Sequence, residues 1–193
     1  MSTIEIRVSG YGGQGVILTA YIIGQAAAIY DKKQATLTQS FGPEARGSAC
    51  SAQLVISSAK ILYPLVTSPD ILICMSQEAY TRFEPEMKQD GILLIDEDLV
   101  SPKPPRGDIK MYSIPATRFA EEIGRRIVVN IVMLGFFTAI SGLVNVNAMR
   151  DSVKNSIPKG TEEVNLAAFE KGYSYGLKVL GKEPVGSAKP AVA

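Results

Sequence analysis

The chain has 193 residues, 46% hydrophobic and 20% charged, enough to bury one sizeable core and a squeeze for two domains. Lys+Arg 20 against Asp+Glu 19 leaves a formal charge of +1, and no run of five or more cations exists to grip phosphates, which argues against a nucleic-acid partner. No histidine and two cysteines exclude the usual general base, the usual zinc ligands and the thiolate set of a self-contained iron–sulfur cluster, so any redox metal must sit in another chain.

In chain order, Ile4, Ile6 and Val8 alternate with polar residues over Thr3–Ser9 and predict a strand that runs straight into Gly10-Tyr11-Gly12-Gly13-Gln14-Gly15. From Val16 to Tyr30 apolar residues recur at three- and four-residue steps and predict a helix. A second strand over Ala35–Thr38 leads into the loop Gln39–Ser48, and Ala49–Ser57 reads as a third strand. The continuous apolar run Ile71–Met75 reads as a central strand buried on both faces. A short helix over Glu78–Met87 should break or kink near Pro85, and short strands follow at Ile92–Ile95 and Ile109–Ile114. From Ala116 to Leu180 the pattern is helical, divided at Gly124, at Gly142–Asn147 and at Ile157–Gly160. The expected architecture is one α/β domain over residues 1–182: a Rossmann-like, mostly parallel sheet flanked by helices with a helical C-terminal part. Residues 183–193, with two prolines and little apolar surface, read as a disordered tail.

In such sheets ligands and partners meet the loops at the carboxyl ends of the strands. Gly10–Gly15, Gln39–Ser48, Ser76–Gln77 and Asp96–Asp98 all fall at that edge. The glycine run satisfies G-x-G-x-x-G, but the second strand offers no Asp or Glu to hold a ribose. Three readings stay open for it: autonomous dinucleotide binding, a tight turn needed for helix–sheet or subunit packing, and contact with an anionic ligand of a larger complex. In the second loop Arg46 could fork onto a carboxylate or phosphate, or belong with Glu44 to a solvated ion pair. Gln14 and Gln39 are suited to hydrogen bonding and useless as bases. Asp96, Glu97 and Asp98 read as a solvated acidic loop in preference to a metal or acid/base site. Cys50 and Cys74 lie in strand patterns as small core residues, and two isolated thiols fit a reducing cytoplasm. Tyr11 and Phe41, flanking the two loops, read as ordinary packing at a partly covered surface.

The segment Ile127–Val144 is at the lower edge of membrane-spanning length and contains Asn130, Thr138 and Ser141, so it reads as a buried helix. Gly135 and Gly142 would allow its close approach to a neighbour. Apolar on nearly every face, it is equally consistent with burial inside the chain and with a subunit interface, and the latter predicts self-association of the isolated chain.

Gly10-Tyr11-Gly12-Gly13-Gln14-Gly15-Val16 after the first strand, followed by Gln39-Ser40-Phe41-Gly42-Pro43-Glu44-Ala45-Arg46-Gly47 after the second, resembles the gamma subunit of the 2-oxoacid:ferredoxin oxidoreductases. The similarity extends over roughly Ile4 to Gly176. It departs at Ser48-Ala49-Cys50, where relatives often place more glycine. The resemblance implies a complex that decarboxylates a 2-oxo acid on thiamine diphosphate, passes electrons through iron–sulfur clusters to ferredoxin and releases acyl-CoA. It implies that thiamine diphosphate, Mg and the 4Fe–4S clusters belong to partner subunits, with CoA as co-substrate. The implied partners are alpha and beta subunits, with delta as a candidate third, and ferredoxin through the complex. Gly12, Gly13, Gln14, Gly15, Glu44, Ala45, Arg46 and Gly47 are the implied ligand or subunit interface, with no catalytic residue and no metal ligand in this chain alone. A stand-alone nucleotide- or CoA-binding protein and a non-enzymatic scaffold domain are the competing readings.

Overall fold

The computed structural model describes residues 3–42, 49–104 and 106–182. Its centre is the apolar strand β4 (Ile71–Cys74), every residue of which is buried. Parallel pairing places it between β1 (Thr3–Tyr11) and β5 (Ile92–Asp96), and β5 pairs in parallel with β6 (Lys110–Ile114). On the other side of β1 lies an antiparallel ribbon of β2 (Gln34–Phe41) and β3 (Ala49–Ser57), giving the order β2-β3-β1-β4-β5-β6. Because β3 is antiparallel to both neighbours, it alone runs against the other five strands. The expected mostly parallel sheet therefore carries one reversed strand. The connection from Phe41 to Ala49 is too short for a parallel crossover, which needs a dozen residues or more.

One face of the sheet is covered by α1 (Val16–Gln25, continued as one π-turn through Tyr30), α4 (Val129–Ser141), α5 (Val146–Ser156) and α6 (Glu162–Val179). Alternation along the strands sends Ile6, Val8, Leu54 and Ile73 into this larger core. The opposite face receives α2 (Gln77–Phe83) and the 3₁₀ turn Glu84–Glu86 that Pro85 imposes, packed on Leu72, Cys74 and Leu93. Arg7 also points there, 5% exposed, donating to Val66 O at 2.8 Å and to the Glu86 carboxylate and lying 4.4 Å from the Phe83 ring centroid. Arg7 and Ser9 of β1 are thus buried, with Ser9 Oγ donating to Cys50 O at 3.1 Å: the strand is central, and its alternation separates two cores.

The apolar segment beginning at Ile127 divides. Ile127 itself is 80% exposed, whereas Ile131 to Phe137 of α4 are buried within the chain. α6 approaches so closely that a Cβ on Gly135 would lie 2.0 Å from Phe169 O, and one on Gly172 would lie 2.0 Å from Val132 O. Backbone contact at this range encloses the helix, so α4 supplies no exposed apolar face for self-association. Gly142 has a different role from the expected close approach: it ends α4 in the left-handed conformation at φ 57°, with open space around it. No helix among the described residues is long and apolar enough to cross a membrane. The tail 183–193 lies outside the described residues.

Candidate functional site

The carboxyl edge gathers the ends of β1, β2, β4 and β5 with the amino end of β3, as the register Gly10↔Cys50, Phe41↔Cys50 and Ser9↔Cys74 requires. Gln14 organises the first loop. Its Oε1 accepts from Tyr11 N at 2.6 Å and its Nε2 donates to Met75 O at 2.7 Å, stapling the end of β1 to the end of β4. Gly15 follows at φ 74° and caps α1; a Cβ there would fall 2.5 Å from Asn130 Nδ2 on α4. Both features support the tight-turn reading of the glycine run. Gly13, at φ 97°, differs in that its missing side chain would project into open space.

Within Asp96-Glu97-Asp98 the solvated turn the sequence suggests holds for the exposed Glu97 and Asp98 and fails for Asp96. β5 continues one residue further than expected and turns Asp96 inward to 0% exposure. Its oxygens accept from Thr117 Oγ1 at 2.7 Å and from the backbone N–H groups of Ala116 and Asp98, each at 3.2 Å. Burial raises the Asp96 carboxyl above its ordinary range, an effect opposed by those hydrogen bonds. Asp98 accepts from the Arg118 backbone and guanidinium at 3.0 and 2.7 Å, and Glu97 pairs with the same guanidinium. The three carboxylates therefore fasten the start of α3 (Ala116–Glu122) to the edge.

Between the Gln14 loop and this acidic turn lies a cleft of about 360 Å³, lined by Gly13, Gln14, Leu99, Thr117, Arg126 and Ile127. Both ends of the Gln14 amide are engaged and the Thr117 hydroxyl is donated to Asp96. That leaves the Arg126 guanidinium, whose one salt-bridge partner among the described residues is Glu121 at 3.9 Å, as the strongest polar group facing the cleft. Such a wall can orient an anion or a partner surface; among the described residues lining it there is no base or free nucleophile. Arg126, Thr117 and Asn130 escaped the sequence reading because nothing in their local pattern joins residues more than a hundred positions away to the glycine loop.

On the opposite side of β1, Gln39, Phe41 and Gly42 lead toward the second loop, with Phe41 65% exposed and Tyr11 partly covered across the edge. Pro43, Glu44, Ala45, Arg46, Gly47 and Ser48 lie outside the described residues. Cys50 and Cys74 flank β1 in adjacent registers and so fall on opposite faces, each buried, with burial pushing both thiols upward. No group of three or more His, Cys, Asp or Glu side chains among the described residues could hold a metal ion.

A family model described as pyruvate ferredoxin/flavodoxin oxidoreductase matches residues 5–175. The chain belongs to this family. Its similarity to the 2-oxoglutarate synthase subunit KorC of Methanocaldococcus jannaschii is 54% identity over 171 residues, covering 88% of this chain and 91% of that one. Among solved structures, the keto/oxoacid ferredoxin oxidoreductase gamma subunit of Geobacter sulfurreducens is 39% identical with a TM-score of 0.80, covering 91% of this chain and 99% of that one. The fold also matches the 2-oxoglutarate:ferredoxin oxidoreductase of Magnetococcus marinus, at 22% identity and a TM-score of 0.84, over 98% of this chain and 34% of that one. Within the family the chain has the form of a gamma subunit, a component of a multisubunit oxidoreductase. The family's iron–sulfur chemistry does not fit its side chains: two buried thiols on opposite sheet faces cannot supply the ligands of a 4Fe–4S cluster.

Proposed function

We propose that the chain is the gamma subunit of a 2-oxoglutarate:ferredoxin oxidoreductase, which converts a 2-oxo acid and CoA to acyl-CoA and CO₂ while reducing ferredoxin. The observation that carries the choice of substrate is the 54% identity, along nearly the whole length of both chains, to a 2-oxoglutarate synthase subunit. The donor inventory supports the division of labour. With no histidine and two cysteines in the chain, and no metal-holding group among the described residues, it leaves thiamine diphosphate, Mg and the clusters to alpha, beta and further subunits and is inactive alone. Its two unpaired thiols suit the reducing cytoplasm. Its own contribution is at the carboxyl edge: Gly12, Gly13, Gln14 and Gly15, together with Glu44, Ala45, Arg46 and Gly47, are the residues proposed to meet companion subunits or the CoA they receive.

The test is reconstitution of the complex and measurement of ferredoxin reduction with a panel of 2-oxo acids. Preference for 2-oxoglutarate supports the assignment; preference for pyruvate or a branched 2-oxo acid overturns the substrate. Arg46→Ala in the same complex should weaken assembly or raise the CoA requirement ~10- to 150-fold, the loss of one charge-assisted bond of ~1.5–3 kcal/mol. Unchanged kinetics with intact co-elution would reduce that residue to a solvated loop position.

A further inference from the structure

The helix above the open edge of the sheet carries no charge. From Val16 to Tyr30, through α1 and its π-turn, there is no Asp, Glu, Lys or Arg, and none occurs from Gln34 to Phe41 in β2; the only charges between them are Asp31, Lys32 and Lys33 of the turn. A helix at the surface of a soluble domain normally presents a polar outer face. Here the outer face presents Tyr21 at 48% and Ile29 at 62% exposure. These flank an apolar groove of about 240 Å³ floored by Gly24, Ala35, Leu37 and Leu54, directly beside the edge strand.

That edge is β2. Among the described residues it pairs with β3 on one side and with no strand on the other, so the main-chain donors and acceptors of alternate residues along its eight-residue length face outward. Edge strands are ordinarily protected by charge, proline, bulges or shortness. The other edge, β6, is five residues long and carries Lys110, whereas β2 has none of the charge, proline or shortness. An open strand specifies a strand as its occupant, and an uncharged strand and helix specify an uncharged neighbour.

We propose that this α1–β2 face is an interface between two copies of the chain, with the two β2 strands pairing antiparallel about a twofold axis perpendicular to the sheet near Leu37 and Thr38. That operator satisfies both requirements together. It pairs edge with edge and, because residues directly opposite in an antiparallel pair point to the same face, it also brings both α1 helices to the same side, groove beside groove. Gln34 to Phe41 places no like charges opposite one another in this arrangement, and Tyr21 and Ile29 of each copy lie over the join. Self-association thus belongs to the sheet edge and does not involve α4.

The full chain, purified alone, is measured by sedimentation across micromolar concentrations together with Ile29→Lys and Gln39→Lys, both exposed positions outside the lining of the cleft between Gln14 and Arg126. A dimeric wild type, with the dissociation constant of each variant raised at least ~10-fold and its melting temperature as a monomer unchanged, is the expected result. A monomeric wild type overturns the proposal, as does a dimer that both charges leave intact. If the wild type is monomeric and Gln39→Lys instead fails to co-elute with companion subunits, the face belongs to a companion and the two-copy arrangement is wrong. None of these outcomes depends on the substrate of the complex.

Discussion

Asn130 lies so close beneath Gly15 that the loop has no room for a larger residue, and φ 74° adds a second constraint. Gly15→Ala should cost about 2–5 kcal/mol in urea unfolding, combining ~1–2 kcal/mol for the left-handed conformation with ~1–3 kcal/mol of overpacking. Gly13→Ala, with positive φ and open space, should show only the smaller component. Asp96 gives a pH signature. Its carboxyl titrates higher in the folded chain than in the unfolded one, so the folded state binds the proton more readily and stability attributable to this group increases as pH falls through the carboxylate range. The stability difference between wild type and Asp96→Asn should accordingly move in favour of wild type between neutral pH and pH about 4, the unfolded carboxylate value; a difference independent of pH would refute the burial assignment. Sequence could not supply this: three consecutive carboxylates look alike until strand alternation reaches one residue past Ile95 and turns Asp96 inward. The glycine turn was legible because its requirement is local, while Asn130, which makes Gly15 obligatory, is separated from it by most of the chain.

At the scale of elements, the helices α4 and α6 meet backbone to backbone at Gly135 and Gly172. Gly135→Ala should destabilise toward the upper end of the ~1–3 kcal/mol typical of overpacking or beyond it, since the clash is with a carbonyl that only helix displacement can relieve. Gly142→Ala places its methyl in open space and should lose only ~1–2 kcal/mol from the left-handed cap. Denaturant midpoints of the two variants check the contrast. Periodicity revealed α4 and its apolar character, and even Gly135 as a point of approach. It did not reveal which element approaches, because α6 hides its contact face behind Glu163, Lys171 and Lys178, and a groove made by missing side chains has no hydrophobic signal. β2 and β3 were likewise legible as strands; their antiparallel pairing follows from connection length, which constrains topology more strongly than composition does.

For the whole molecule, the thiol inventory makes a direct prediction: the isolated chain should show no iron–sulfur absorbance, and native Cys50 and Cys74 should resist a thiol reagent until denaturant exposes both. Rapid native labelling of either would contradict its burial. Family membership assigns the chain to an oxidoreductase complex, and no group of three or more His, Cys, Asp or Glu side chains among its described residues could hold a metal ion. The position of β1 has a consequence for motion. It is hydrogen-bonded on both sides, to β3 and to β4, and every other strand lies outward from this pair or from β1 itself. Local opening that frays β6, or β2 in the monomeric chain, leaves it untouched, so amide exchange in heavy water should proceed inward from β6 and, in the monomer, from β2 as well, with Ile6, Arg7, Val8, Leu72 and Ile73 surrendering their protons last and only on global unfolding.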